Sequence, residues 1–328
     1  VFVGAALKVI GINFEVLAEV IKTEFSHKPT LQEVFLKSAR AGYDSVDAIK
    51  DKILIPHKNL SNPDFISGND AITLGALKAG LTFHAQYPMT PVSGILHNLA
   101  QEAVKNKKII VIQPEDEIAV INMALGASYA GARAMVATSG GGFSLMVESL
   151  GLAGMAEIPL VIIEGQRPGP ATGLPTKTEQ GDLKFVLSAG TGEFPRVVIA
   201  PSTIEDCYTE TKRAFYLAEK YQLPVIVLID KQLAESYTTF NFKDEENKFK
   251  FEYNKRINII TDIKDAQLNS DGLFKRYAQS NLQRTLPGTP YGKFTCAGDE
   301  HDEVGEITED AEIRIKVVQR RMDKLKQI

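Results

Sequence analysis

KKIIVIQPEDEIAVINMALGASYAGARAMVATSGGGFS, Lys107 to Ser144, decides the fold. Its two apolar runs, 107–113 and 132–138, have the length of strands, and residues 116–130 between them keep the apolar spacing of a helix. The same alternation extends in both directions. Upstream, the spacing predicts a helix over 70–79, a strand in LTFHAQY (81–87) and a helix over 92–105. Downstream it predicts a helix over 143–155, strands over 159–165 and 195–200, a helix over 204–221 and a strand over 224–230. Short Val- and Ile-rich strands separated by helices read as βαβ units around a parallel sheet buried on both faces. Near 240 the pattern gives way to polar sequence such as NFKDEENKFKFEYNK, so the sheet domain is expected to span 66–240.

Residues 4–24 carry apolar side chains at helical spacing, with Asn13 placed as a cap before Glu15, and a second helical stretch follows over 30–47. This gives a helical tail over 1–50, a linker over 51–65 marked by Pro56 and Pro63, a second linker over 241–290, and the start of a C-terminal domain over 291–328. The missing initiator Met and the abrupt charged finish lead us to expect a fragment of a longer chain.

Bulk composition narrows the function classes. A hydrophobic content of 44% and a charged content of 24% suit a globular core. The net charge of −4 and a pI near 5.9 argue against nucleic acid as a partner. No apolar run reaches the roughly 18 residues of a membrane helix, so no membrane partner is expected and the default location is cytoplasmic. Two cysteines, Cys207 and Cys296, are too few for a disulfide framework or an iron–sulfur cluster.

In an open parallel sheet, ligands gather where the strands end at their carboxyl side. YPMTPVS (Tyr87–Ser93), QPEDE (Gln113–Glu117), TSGGGFS (Thr138–Ser144) and a Gly/Pro-rich loop with Arg167 follow four strands in turn. Each admits a plain reading and a functional one. Thr90 either caps a helix or is held stiffly between Pro88 and Pro91 for a ligand. Glu117 either belongs to a solvated acidic first turn or faces a partner or cofactor. TSGGGFS is either a tight packing turn or an anion-friendly helix start, and it matches neither the dinucleotide fingerprint nor the Walker motif. Arg167 is either a surface ion pair or a fork for a carboxylate. The acidic string GDEHDEVGEITED lacks calcium-loop spacing and reads as a loop or cap before the last helix; no metal site is expected. His84 and His97 have no nucleophile partner in the sequence. A nicotinamide dehydrogenase would need a glycine fingerprint where YPMTPVS stands. A non-catalytic scaffold subunit is the stronger rival.

Taken together, GNDAITLGALKAG, YPMTPVS, EDEIAVINMALGASYAGARAMVATSGGGFSLMVESLGLAGMAEIPLVII, GPATGLPTKTEQGDL and GDEHDEVGEITED resemble the α subunit of 2-oxoacid:ferredoxin oxidoreductases, in order over about residues 66–310. VLAEVIKTEF and VFLKSARAGYDS resemble the end of the γ domain often fused ahead of it. The resemblance implies a thiamine-diphosphate-binding α/β fold, of the pyrimidine-binding type, with helices on both faces of a parallel sheet. It implies oxidative decarboxylation of a 2-oxoacid, of the 2-oxoglutarate or pyruvate type, with coenzyme A to acyl-CoA, carbon dioxide and reduced ferredoxin. Carried over by position, Glu117 matches the glutamate that bonds the aminopyrimidine and promotes its imino tautomer, which in turn deprotonates the thiazolium carbon. Thr90 and Arg167 match residues that hold the substrate carboxylate, and Thr176 matches a position lining the same pocket. The chain has no GDG followed by NN to hold magnesium and diphosphate. The resemblance therefore places magnesium and the iron–sulfur cluster in a β subunit, makes the enzyme a hetero-oligomer, and leaves this chain inactive alone. GQRPGPATG departs from the family in Pro168, which restricts Arg167 to extended conformations.

Overall fold

The computed structural model describes residues 1–47, 64–241, 256–278 and 282–328. The expected linker over 51–65 lies outside the described residues up to 63, as does the linker over 241–290 for 242–255 and 279–281. Contacts divide the chain into Val1–Ser61 and Asn62–Ile328.

In the first unit, α1 (Phe2–Val9), α2 (Phe14–Glu24) and α3 (Pro29–Asp44) pack around Phe14, Ala18, Ile21 and Ala39. The helical spacing over 4–24 is carried by two helices, and the second starts after the cap expected at Asn13. Gly11 sits at φ +77, a conformation glycine adopts without steric cost. Asn13 then caps α2, its side chain accepting from the Glu15 N–H at 3.1 Å.

The second unit opens with β1 (Asp64–Ser67) and α4 (Gly68–Lys78), followed by β2 (Phe83–Ala85), α5 (Ser93–Lys105), β3 (Ile110–Ile112), α6 (Glu117–Tyr129) and β4 (Ala134–Thr138). Then come α7 (Gly140–Leu145), α8 (Val147–Met155), β5 (Leu160–Gln166), α9 (Leu183–Ser188), β6 (Val197–Ile199), α10 (Ile204–Tyr221), β7 (Pro224–Asp230), α11 (Lys231–Glu235) and β8 (Tyr237–Phe240). Among the described residues, six strands form one sheet in the order β3-β2-β4-β5-β7-β6, and every pairing is parallel. β1 and β8 pair antiparallel as a separate ribbon.

Alternation along the strands builds two cores. Met135, Val161, Ile163, Val225 and Val227 face α4, α5 and α10, whereas Val136, Leu160, Ile162, Ile226 and Leu228 face α6, α8 and α9. A parallel sheet with helices on both faces is what the sequence pattern predicts.

Several boundaries differ from expectation. The strand expected over 81–87 is only Phe83–Ala85, and that over 107–113 only Ile110–Ile112. Pro88, Pro91 and Pro114 remove ladder donors just beyond them, so the chain leaves the sheet early. The helix expected over 143–155 starts earlier, at Gly140, and divides at Met146.

Downstream, the described parts of 256–290 bury Arg276, Tyr277 and Arg284. α12 (Ala311–Asp323) is capped by Asp310, which accepts from the N–H groups of Glu312 and Ile313. Arg320 and Lys324 reach the fully buried Glu157 after α8, Lys324 Nζ at 2.5 Å, while Arg276 donates to the Glu157 carbonyl at 3.0 Å. Residues 291–328, expected to open a further domain, are thus tied to the sheet body by buried charge.

Candidate active site

β3, β2, β4 and β5 are neighbours in the sheet, so the loops that follow them emerge at one edge. The chain steps outward from β2 to β3 and then crosses back to β4. In an open parallel sheet such a reversal leaves a crevice where ligands bind.

Thr90 lies in the loop after β2, and buried amides hold that loop from below. Gln86 Nε2 donates to the Val92 carbonyl at 2.9 Å, and Asn69 Nδ2 donates to the Pro91 carbonyl at 2.9 Å. His84, unpartnered in the sequence reading, contacts Gln86 Oε1 through Nε2 at 2.9 Å. Burial pushes its imidazole down to about 4, so the ring is neutral and donates that bond.

Glu117 is the first residue of α6 and is 3% exposed, although its neighbour Asp116 caps the helix by accepting from the Ala119 N–H at 2.8 Å. Burial raises its carboxyl above the ordinary glutamate range, and Asp116 adds to the rise; its own backbone N–H and the Thr138 hydroxyl pull partly the other way. Glu117 Oε1 is buried without a hydrogen-bond partner. Such an atom is costly unless a donor arrives with a ligand.

The three glycines after β4 make this arrangement possible. A Cβ on Gly142 would collide with Thr138 Oγ1 and Glu117 Oε1, and one on Gly140 would stand 2.6 Å from Asp182 Oδ2. TSGGGFS is therefore a close-packing segment between two carboxylates. Gly142→Ala is expected to push Glu117 and Thr138 aside and to cost the fold about 1–3 kcal/mol, the scale of overpacking a filled site. Denaturant unfolding checks this; a change under about 0.5 kcal/mol would contradict it.

Arg167 follows β5 directly and is half-buried, and its Nη1 donates to the Thr90 carbonyl at 2.8 Å. Pro168 does not stop the side chain from reaching the first loop. The contact joins Arg167 to the Thr90 backbone, and the Thr138 hydroxyl lies 3.8 Å from Met89 Sδ, so the loops after β2, β4 and β5 meet. Thr176 stands exposed further along the Arg167 loop. Sequence reading did not single out Glu164 or Asp182. Glu164 is wholly buried at the end of β5, and Asp182 is the residue that returns the loop to that strand. A glutamate inside PLVIIEG was the available signal.

Residues 74–320 match the family described as "Pyruvate flavodoxin/ferredoxin oxidoreductase, thiamine diP-bdg". The chain is 38% identical over 97% of its length to 2-oxoacid:ferredoxin oxidoreductase 1, subunit alpha, of Sulfurisphaera tokodaii, covering 51% of that protein. It is 47% identical over 51% of its length to the 2-oxoglutarate synthase subunit KorA of Archaeoglobus fulgidus, covering 48% of that protein. A solved 2-oxoglutarate:ferredoxin oxidoreductase from Magnetococcus marinus, with 2-oxoglutarate, coenzyme A and succinyl-CoA bound, superposes with a TM-score of 0.81 at 33% identity, covering 99% of this chain and 56% of that one. The chain spans about half the length of these relatives.

Proposed function

The chain belongs to the pyruvate flavodoxin/ferredoxin oxidoreductase family, and from that premise we propose that it is the α-subunit portion of a 2-oxoacid:ferredoxin oxidoreductase. On this reading the assembled enzyme converts a 2-oxoacid and coenzyme A to acyl-CoA and carbon dioxide and passes the electrons to ferredoxin. The supporting observation is the unpartnered, buried Oε1 of Glu117 at the crevice.

That atom fits thiamine diphosphate, whose aminopyrimidine has a ring nitrogen that becomes an N–H donor once a carboxyl group protonates it. When bound, this cofactor supplies the carbon nucleophile for the 2-oxo group and the sink for the electrons released. Glu117, in a site where burial favours holding a proton, would donate it to the ring nitrogen and then accept the hydrogen bond from the protonated ring at Oε1. Arg167 and Thr90, already joined at 2.8 Å, would orient the substrate carboxylate, with Thr176 completing the pocket from the loop. The glycines of α7 keep side chains out of the space beside Glu117.

We read residues 66–240 as the pyrimidine-side body, 1–50 as the end of a γ-like helical domain and 291–328 as the start of a C-terminal domain. A β subunit would bring magnesium, the diphosphate contacts and the iron–sulfur cluster. Among the described residues no helix is long and apolar enough to cross a membrane, and a cytoplasmic hetero-oligomer is the setting we propose.

The test is anaerobic reduction of a viologen dye by the purified native complex, with coenzyme A and a panel of 2-oxoacids. Reduction with one or a few of them is the expected result, and none with any, in a thiamine-diphosphate-loaded complex, would overturn the proposal. In the same assay Arg167→Ala is expected to raise KM for the 2-oxoacid by about 10- to 100-fold, the loss of one charged hydrogen-bonding group. An unchanged KM would remove Arg167 from the substrate site.

A further inference from the structure

Glu164 is 0% exposed, and neither of its carboxyl oxygens has a hydrogen-bond donor. It lies in register with Thr138 of β4 and Leu228 of β7. Leu160 and Ile162 of the same strand place it on the face covered by α6 to α9. Asp182 returns beside it: its backbone is tied to Gln166, two residues further along β5, and its carboxyl lies against Gly140, two residues beyond the Thr138 that stands opposite Glu164.

Asp182 ends the loop that Arg167 begins. Its N–H donates to Gln166 Oε1 at 3.0 Å, bringing the loop back to the strand it left. Inside the loop the Leu174 N–H donates to the Pro168 carbonyl and the Lys177 N–H to the Leu174 carbonyl, both at 3.0 Å. Gln180 Nε2 donates to Asp230 Oδ2 at 2.6 Å. The loop therefore closes through Gln166, Asp182 and Glu164.

Among the described residues neither carboxyl forms an ion pair with a cation. β4 presents Thr138 and β7 presents Leu228, while α7 presents Gly140 to Asp182. The charged groups acting on the pair are the two carboxyls themselves and, on Asp182, Glu179 of the loop. Burial, and then Asp182, push Glu164 well above the usual carboxylate range; burial also raises Asp182, although the hydrogen bond from Glu164 partly offsets that rise. Two carboxylates in contact here would repel, whereas one proton between them makes a strong O–H···O⁻ bond.

We propose that Glu164 and Asp182 share one proton as a clasp that closes the Arg167 loop on β5, and that losing this proton to solvent opens the loop and weakens binding of the anionic 2-oxoacid. Both are positioning residues. The inference rests on the reading of this loop as the substrate-carboxylate site. On opening, the Glu164–Asp182 hydrogen bond is replaced by two repelling carboxylates, and the fraction of closed loop falls about tenfold per pH unit above the break.

The test uses the intact complex without substrate. Infrared spectra at neutral pH should contain the carbonyl stretch of a buried carboxylic acid, absent in Glu164→Gln and fading in the unaltered enzyme as pH rises. Above that pH, KM for the 2-oxoacid should rise about tenfold per unit in the unaltered enzyme and stay flat in Glu164→Gln, whose amide keeps the donated bond with no proton to lose. Hydrogen exchange at Leu174, Lys177 and Asp182 should accelerate over the same range in the unaltered enzyme only. Absence of the band, or an alkaline rise in KM that survives in Glu164→Gln, would overturn the clasp. Should the variant fail to assemble, the unaltered complex decides: band loss and faster exchange must occur at one pH, and separate transitions contradict the proposal. If no 2-oxoacid is turned over while band and exchange behave as described, the substrate reading fails and the clasp stands.

Discussion

Glu117→Gln in the assembled enzyme is expected to lower turnover by about 10²- to 10⁴-fold, the range for removing a general acid–base group. Glutamine keeps the shape of the side chain and its place at the start of α6, so the packing against Thr138 and Gly142 is retained. What it lacks is the ability to carry a charge or exchange a proton at the buried position where Oε1 waits without a partner. Because burial raises this carboxyl, the neutral form becomes accessible closer to working pH than for a surface glutamate. If the chain were a scaffold, the substitution would leave turnover unchanged. Unchanged steady-state rates in a correctly assembled Glu117→Gln complex would therefore decide for the scaffold.

Glu157→Ala is expected to cost the fold about 3–5 kcal/mol, the scale for breaking a buried ion pair and stranding its partners. Arg320 and Lys324 both close on this one carboxylate, and all three side chains are almost wholly buried. Burial alone would raise Glu157, but Lys324, then Arg320 and Arg276, outweigh it and hold the carboxyl below the ordinary range. A depressed carboxyl stabilises the fold above its unfolded value of about 4.3, and that contribution is lost as pH falls below it. Denaturant unfolding at neutral pH should show the full loss in Glu157→Ala, and the gap from the unaltered protein should narrow in acid. A loss under 1 kcal/mol at neutral pH would show that the cluster contributes packing without net electrostatic stabilisation.

Much of the sheet was readable because its signals are local. PVIVLID became β7 with its predicted limits, and PLVIIEG became β5 to within one residue at either end. Gly and Pro likewise marked the four loops at the carboxyl edge. The limits of β2 and β3 were not readable, since hydrophobicity continues past the point where proline ends the ladder. The start of α2 was readable at its cap Asn13, but the end of α1 was not, because apolar spacing continues across Gly11, whose backbone turn leaves no trace in periodicity. His84 and Gln86 share a strand face at a spacing of two, so their hydrogen bond was within reach of the alternation rule. Glu164 was not, because nothing near it in the chain states that Asp182 returns beside it after the whole Arg167 loop. Glu157 shows the same limit: its cations, Arg320 and Lys324, arrive from the last helix and the residue after it.

On the proposed function, this chain supplies the carboxylate that activates thiamine diphosphate. Hydrogen–deuterium exchange at the cofactor's reactive carbon, measured in the assembled complex before any 2-oxoacid is added, tests it without involving substrate, coenzyme A or ferredoxin. Exchange slowed by about 10²-fold or more in Glu117→Gln, with the cofactor still bound, is the expected result. Exchange at the unaltered rate would contradict it and move the activating group to another residue.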